Sequence, residues 1–456
     1  MDTLREIDLD DFHLDILGQQ PRINKLYTQI TFCFPFQNES PKSQVQVIHT
    51  LTKGLEKLST NFPWVSGKVV NEDGCFKIKP FENTAGLIIK DLSLDSSILT
   101  WDTLQRANFP FSMLDESVVA PCKTLAFSDE STSELPVFLV QANFISGGLL
   151  LTLNGQHGSM DMAGLGQVIY LLAKACRGEP FTPSELSTGN MDRKNIIPLL
   201  DEHASSIELE HQISKDTPNR GVQPSQPPKF TWAYFLFAAD ALAALKSLAM
   251  ETIPSGSFVS TDDVLSAFVW QSVSCARLPR LSTAEALYST LSRNVDVRRY
   301  LSIPPTYPGL VSNATFHTSS IKALVQEPLG SVAANIRSAL DPDNLRRRTQ
   351  ALATAISHGN GAKASFAGRG SPELDVRLSS WAKERCYDLD FGLGPGIGKP
   401  EAVRRPQFTD GAREGLVYFL PKTLSGEIAV GVCLRDEDLE RLKRDKEFVE
   451  FGTYVG

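Results

Sequence analysis

The chain has 456 residues, 42% hydrophobic and 21% charged, which supplies apolar material for one or two large cores and excludes a disordered or fibrous protein. Its formal net charge of −8 argues against nucleic acid as a partner, and the acidic start, with no run of about eighteen apolar residues anywhere, predicts neither signal peptide nor membrane span and therefore a cytoplasmic protein. Seven scattered cysteines without a Cys-x-x-Cys pair, and seven histidines without ligand spacing, predict reduced thiols and no metal site.

Residues 27–34 alternate apolar and polar side chains and read as a strand. Pro41 opens a helix with Ile48, Leu51, Leu55 and Leu58 on one face, and 65–69 with 75–78 read as a hairpin around Asn71-Glu72-Asp73-Gly74. A second hairpin is predicted from 137–145 and 149–154 about Ser146-Gly147-Gly148. A helix follows in which Leu165, Val168, Ile169, Leu172 and Ala175 recur, with Lys174 and Arg177 in its last turn and Gly178 and Pro180 as the stop. Between hairpin and helix lies Gly155-Gln156-His157-Gly158-Ser159-Met160-Asp161-Met162-Ala163-Gly164. His157 thus stands where a strand hands over to a helix, a position from which reactive side chains are presented. A histidine with an aspartate four residues on is also common as a local ion pair or helix-start contact, so this stretch alone leaves both readings open.

The proline-rich stretch 211–229 reads as a linker or crossover, dividing the chain into 1–210 and 230–456. The second half begins with a strand at 230–237 and a helix through Ala241 and Leu245. Ser260-Thr261-Asp262-Asp263 then precedes Val264, Leu265, Phe268, Val269 and Val273 at helical spacing, the signature of a capped helix start. Residues 357–371, rich in glycine, alanine and serine, predict a mobile surface loop. The chain closes with a hairpin at 416–420 and 427–434 and a charged helix around Leu439 and Leu442. The glycine-rich run 392–398 matches neither the dinucleotide fingerprint nor the phosphate loop and reads as a structural turn.

The combination of His157-x-x-x-Asp161 with Asp390-Phe391-Gly392-Leu393-Gly394 resembles the BAHD superfamily of CoA-dependent acyltransferases. Within it, Asn190-Met191-Asp192-Arg193-Lys194, Tyr307-Pro308-Gly309-Leu310, Leu378-Ser379-Ser380-Trp381-Ala382-Lys383 and Leu434-Arg435-Asp436-Glu437-Asp438 resemble fungal trichothecene 3-O-acetyltransferases. The resemblance implies an α/β fold of two chloramphenicol-acetyltransferase-like domains, each a mixed sheet flanked by helices, with a tunnel at their interface. It also implies acetyl-CoA as co-substrate with no permanently bound cofactor, an apolar polycyclic alcohol as acceptor, and a monomer. Compared with that group, 395–397 carries a short insertion in the turn.

An alcohol attacking a thioester needs a base near neutral pH, and neutral imidazole suits the task; His157 is the candidate. By resemblance, Asp161 pairs with Arg298 of Val295-Asp296-Val297-Arg298 and shapes the loop, and Asp390, Phe391 and Gly392 form a structural turn. Ser379 and Trp381 are implied as donors to the tetrahedral oxyanion, with Trp381 as simple core the open alternative. The helix start at Ser260 and Thr261 is the candidate CoA contact, because its N–H groups and dipole favour phosphate.

Overall fold

Two hydrophobic hairpin strands and the strand they recruit build the first sheet. Tyr27–Pro35 pairs antiparallel with Gly148–Gln156, which pairs antiparallel with Phe138–Ile145 across the Ser146-Gly147 turn, where Gly147 takes φ 79°. Leu87–Asp91 adds in parallel on one side, and on the other the short strand Ala402–Arg404 closes a five-stranded sheet. The computed structural model describes residues 12–36, 41–81, 86–95, 99–125, 135–201, 209–213, 229–253, 255–281, 287–365, 368, 370–410 and 412–456.

One face of this sheet carries Ile30, Phe32, Phe34, Leu149, Leu151 and Leu153, which share a core with the helices Pro41–Asn61 and Met162–Cys176. The opposite face carries Gln29, Thr31, Thr152 and Asn154, and it too is buried. The chain around 116–125 lies over it: Gln141 Nε2 donates to the Val118 carbonyl at 2.9 Å and Asn143 Nδ2 to that of Val119 at 2.9 Å. A smaller antiparallel sheet runs Phe12–His13, Cys75–Lys79, Lys68–Glu72, Leu135–Pro136. The predicted strand at 65–69 starts three residues late, because Pro63–Ser66 coils into a 3₁₀ turn.

The second half forms a seven-stranded mixed sheet in the order Ser312–Ser320, Tyr288–Asp296, Val376–Ser380, Leu416–Phe419, Ile428–Arg435, Phe230–Phe237, Thr453–Tyr454. Tyr288–Asp296, Val376–Ser380 and Leu416–Phe419 are mutually parallel. The helices Ala239–Thr252, Thr261–Arg277 and Leu329–Ser338 seal one face over a core that includes Phe235, Phe268, Val332 and Phe448.

Of the predicted linker, only 211–213 and 229 lie among the described residues. Its start is anchored, since Gln212 is buried and donates to Asn313 Oδ1 at 2.8 Å, and Ile213 bridges to Ala364. The predicted loop at 357–371 is helical in its first part: Pro342–Ala355 runs on into a π-type turn, Ile356–Asn360, with Ile356 in a core formed with Leu345, Leu352 and Tyr307. Gly359 at φ 85° then ends the turn. Residues 366, 367 and 369 lie outside the described residues. No described helix is long and apolar enough to cross a membrane.

Candidate active site

The last residue of the strand Gly148–Gln156 and the N-cap of the helix Met162–Cys176 bracket the His157 turn. The His157 N–H donates to the Leu26 carbonyl at 2.8 Å, which extends the sheet pairing one step past the strand. Its Nδ1 lies 3.2 Å from the Met160 carbonyl oxygen. A carbonyl can only accept, so Nδ1 carries the proton and the ring lone pair is on Nε2. Burial first, and the Arg405 charge in the same direction, hold the imidazole below its ordinary pKa, outweighing the opposite pull of the Met160 hydrogen bond and Asp161.

The turn is held from two sides. On one, Asp161 points away from the imidazole and meets Arg298 in a bidentate pair, Nη2 to Oδ1 at 2.8 Å and Nη1 to Oδ2 at 3.0 Å. Three more donors complete its shell: Gly164 N–H at 2.8 Å, Val311 N–H at 2.9 Å and the Ser312 hydroxyl at 2.8 Å. Burial alone would raise the Asp161 carboxyl; Arg298 and these hydrogen bonds bring it below the usual range. Arg298 also donates to the carbonyls of Tyr307 at 2.9 Å and Gly309 at 2.7 Å.

On the other side, Arg193 lies between the rings of Phe12 and Trp64 and donates to the Ser159 carbonyl at 2.5 Å. Arg193 pairs at 3.5 Å with buried Asp15, which accepts from the Tyr307 hydroxyl at 2.5 Å and the Leu310 N–H at 3.0 Å. The segment 307–311 therefore ties both carboxylates together. Below the turn, Gln156 Nε2 donates to Asn24 and its Oε1 accepts the Ser159 N–H at 2.7 Å. Gly158 is required here: a methyl group in its place would stand 1.9 Å from Asn24 Oδ1.

Topology brings the second half to the same place. Arg298 follows the end of Tyr288–Asp296, and Ser379 stands opposite Asn294 on the neighbouring parallel strand Val376–Ser380. Two parallel strands thus end on one edge, where open sheets present ligand-binding residues. The Trp381 indole is buried against Tyr418 and Arg405, and its Nε1–H donates to Ser379 Oγ at 3.0 Å. The structure thus brings the two residues implied as oxyanion donors into direct contact, with the indole N–H engaged by the serine oxygen. Between them, Ser380 Oγ donates to Asp262 at 2.5 Å, linking this strand end to the helix start at 260. There Ser260 is an N-cap whose amide and hydroxyl both donate to Asp263 Oδ2 at 2.7 Å.

The turn at Asp390, Phe391 and Gly392 stands apart from these groups. Asp390 Oδ1 accepts the Gly392 N–H at 2.8 Å, Gly392 takes φ 63°, and Phe391 packs edge-on against Phe32 and Phe34.

A family model described as the trichothecene 3-O-acetyltransferase-like N-terminal domain matches residues 26–176. The O-acetyltransferase dmxR13 of Cryptosporiopsis sp. (strain 8999) is 50% identical across 99% of both chains. The chain belongs to the trichothecene 3-O-acetyltransferase-like family. Trichothecene 3-O-acetyltransferase TRI101 of Fusarium sporotrichioides is 47% identical over 98% of this chain and 97% of its own. Its crystal structure with coenzyme A and T-2 superposes with a TM-score of 0.90, covering 98% of this chain and all 100% of the other. Vinorine synthase, at 15% identity and a TM-score of 0.66 over 99% and 95% of the two chains, shares the fold.

Four residues of this family member's site had no role assigned from the sequence: Asp15, Glu384, and Arg193 and Tyr307, which stand in stretches that carry the family resemblance. A methyl group on Gly166, in the helix after the His157 turn, would lie 2.5 Å from Glu384 Oε2. Burial, and then the charges of Asp161 and Asp296, push the Glu384 carboxyl up to about 8. Among the described residues no group of three or more His, Cys, Asp or Glu could hold a metal ion.

Proposed function

We propose that the protein transfers the acetyl group of acetyl-CoA to the C3 hydroxyl of a trichothecene, with His157 as general base in a ternary complex. The observation that carries this is the neutral imidazole with its lone pair on Nε2, held on a turn that is braced from both sides. Nε2 takes the alcohol proton as the oxygen attacks the thioester carbonyl, and the Ser379 hydroxyl, polarised by Trp381, meets the oxyanion. Collapse of the tetrahedral intermediate expels the CoA thiolate, which takes the proton back from the imidazolium. Asp161 and Arg298 keep the turn in register, and Asp390, Phe391 and Gly392 serve structure alone.

Four of the seven thiols argue against a covalent acyl-cysteine route. Burial pushes Cys33, Cys122, Cys176 and Cys433 up to about 12, far from the thiolate form. For CoA, the turn at Ser260 and Thr261 offers its Thr261 end to phosphate, Ser260 being committed to Asp263. The reading is completed by two domains, 1–210 and 230–456 joined through 211–229, with a tunnel between them, in a monomeric cytoplasmic protein.

The name of the 50% identical relative, an O-acetyltransferase, states no acceptor, whereas a 28% identical relative is named an eremophilane O-acetyltransferase. Transfer to another fungal metabolite's alcohol or amine is the second reading, and a homologue that binds its ligand without catalysis is the third. The test is release of free CoA thiol from acetyl-CoA and a 3-hydroxy trichothecene, with the product located by mass and NMR. Acetylation at the C3 oxygen is expected; acetyl-CoA binding without any turnover would send the search to other alcohols.

The base also sets a pH signature. A protonated imidazole has no lone pair, so kcat/KM falls as pH drops through the His157 pKa. Because burial holds that pKa down, the acid limb is expected below the ordinary imidazole value of about 6.5. A pH–rate profile at saturating acetyl-CoA with its limb above that value would contradict the assignment.

A further inference from the structure

Six of the seven thiols are held in the protonated form. Burial does this for Cys33, Cys122, Cys176, Cys386 and Cys433. Cys275 stands at the surface, yet partial burial and then the carboxylates of Asp445 and Glu447 raise its thiol as well. The seventh, Cys75, has different surroundings. It opens the strand Cys75–Lys79 just after the Asn71-Glu72-Asp73-Gly74 turn, and alternation along that strand sends Phe76 and Ile78 into the core and Cys75, Lys77 and Lys79 to the outer face. The neighbouring strand Phe12–His13 runs antiparallel, with His13 directly opposite Lys77 and therefore on that same face. The imidazole reaches diagonally across, and its Nδ1 lies 3.2 Å from Cys75 Sγ. Both residues are half-buried, so each keeps some contact with solvent.

A thiol attacks only as the thiolate, and an imidazole at hydrogen-bond distance is the group that takes its proton and remains beside it as a counter-cation. Two lysines share the face. The carboxylate paired across from Cys75 is Glu72, and both lysines engage it: its oxygens lie 3.3 Å from Lys77 Nζ and 3.3 Å from Lys79 Nζ. Its charge is thereby offset, whereas Asp445 and Glu447 act on Cys275. The two solvent-reaching thiols, Cys75 and Cys275, therefore stand in opposite electrostatic settings.

We infer that Cys75 and His13 form a thiol–imidazole pair that takes up low-molecular-weight disulfides, a reversible modification site apart from the groups around His157. In the exchange the Cys75 sulfur attacks one sulfur of the disulfide, and the new S–S bond forms as the old one breaks. The expelled thiolate carries away the electron pair, and the proton first taken by His13 passes to it. The disulfide is itself the oxidant: one thiol is released as Cys75 becomes a mixed disulfide, and an excess of thiol reverses the step. The acetyl transfer makes no use of this pair, so failure of that reading leaves the site standing.

The experiment incubates the reduced, folded full chain with glutathione disulfide near neutral pH and follows each cysteine-containing peptide by mass. Cys275 serves as the standard within the same chain. Cys75 is expected to form the mixed disulfide about 10-fold faster than Cys275, since a free thiol is only a few per cent ionised near neutral pH and a base partner raises that fraction. In His13→Gln, which can hydrogen-bond but offers no imidazole base, the lead is expected to vanish while the rates of the other thiols stay as they were. Equal rates at Cys75 and Cys275 in the native protein overturn the inference, and so does a lead that survives His13→Gln. If that variant fails to fold, the native chain in denaturing urea decides. A lead lost on unfolding supports a pair built by the two strands; a lead retained there belongs to the sequence around Cys75 and overturns it. A Cys75 product that excess dithiothreitol does not return to the thiol is no disulfide, and it overturns the inference too.

Discussion

His157→Ala is expected to lower kcat by about 10²- to 10⁴-fold, the usual contribution of a positioned base, with acetyl-CoA still bound. The variant loses the Nδ1 hydrogen bond to the Met160 carbonyl, but the main chain still holds the turn through the His157 N–H to Leu26 and the Ser159 carbonyl to Arg193. The variant should therefore fold, and its melting temperature should stay close to that of the native protein. Thiol release in a stopped assay, beside calorimetric titration with acetyl-CoA, separates the two quantities. Turnover undiminished in a folded His157→Ala protein would sink the mechanism. Loss of acetyl-CoA binding together with turnover would move His157 from chemistry to cofactor positioning.

The second large effect concerns the buried pair. Arg298→Met removes the cation from a carboxylate that is sealed inside the protein, and breaking such a pair from one side costs about 3–5 kcal/mol. Asp161→Asn keeps the shape and the acceptor that caps the following helix but strands the guanidinium, which retains Asp296 at 2.8 Å. The double variant is expected to lose distinctly less stability than the two single losses added together, because each single change already breaks the same pair. Urea unfolding of the four proteins measures this. Strict additivity would show that Asp161 and Arg298 act separately. In a structural role, kcat falls with the displaced turn, while Asp161→Asn moves the acid limb of the pH profile only toward lower pH, since the Asp161 charge raises the imidazole pKa.

What could be read from the chain follows from the range of the interactions. The strand, turn and helix around His157 rest on neighbours within a few positions, and hairpin spacing and helical periodicity revealed all three. The same holds for the Ser260 cap. Asp15 carries no local signature, and the stretches that hold Arg193 and Tyr307 show family resemblance without showing what those side chains touch: the meaning of all three comes from partners distant in sequence. Period-two alternation in 27–34 specifies a strand but not what covers its polar side, so Gln29 gave no sign of being buried beneath Cys122. Ser379 and Trp381 were reachable through family resemblance alone, and only geometry revealed that one donates to the other.

The short strand Ala402–Arg404 bears on how the protein comes into being. It pairs with Tyr27–Pro35, and its residues leave the ribosome long after those of the sheet they complete. At about 5–20 residues per second, the edge of the first sheet waits on the order of tens of seconds for its closing strand. Throughout that interval the nascent first half presents an unpaired apolar edge, the kind of template on which chains join one another. Yield from a cell should therefore depend on what shields that edge during synthesis, and a fragment ending before residue 402 should aggregate even though its hairpin and helices are all in place.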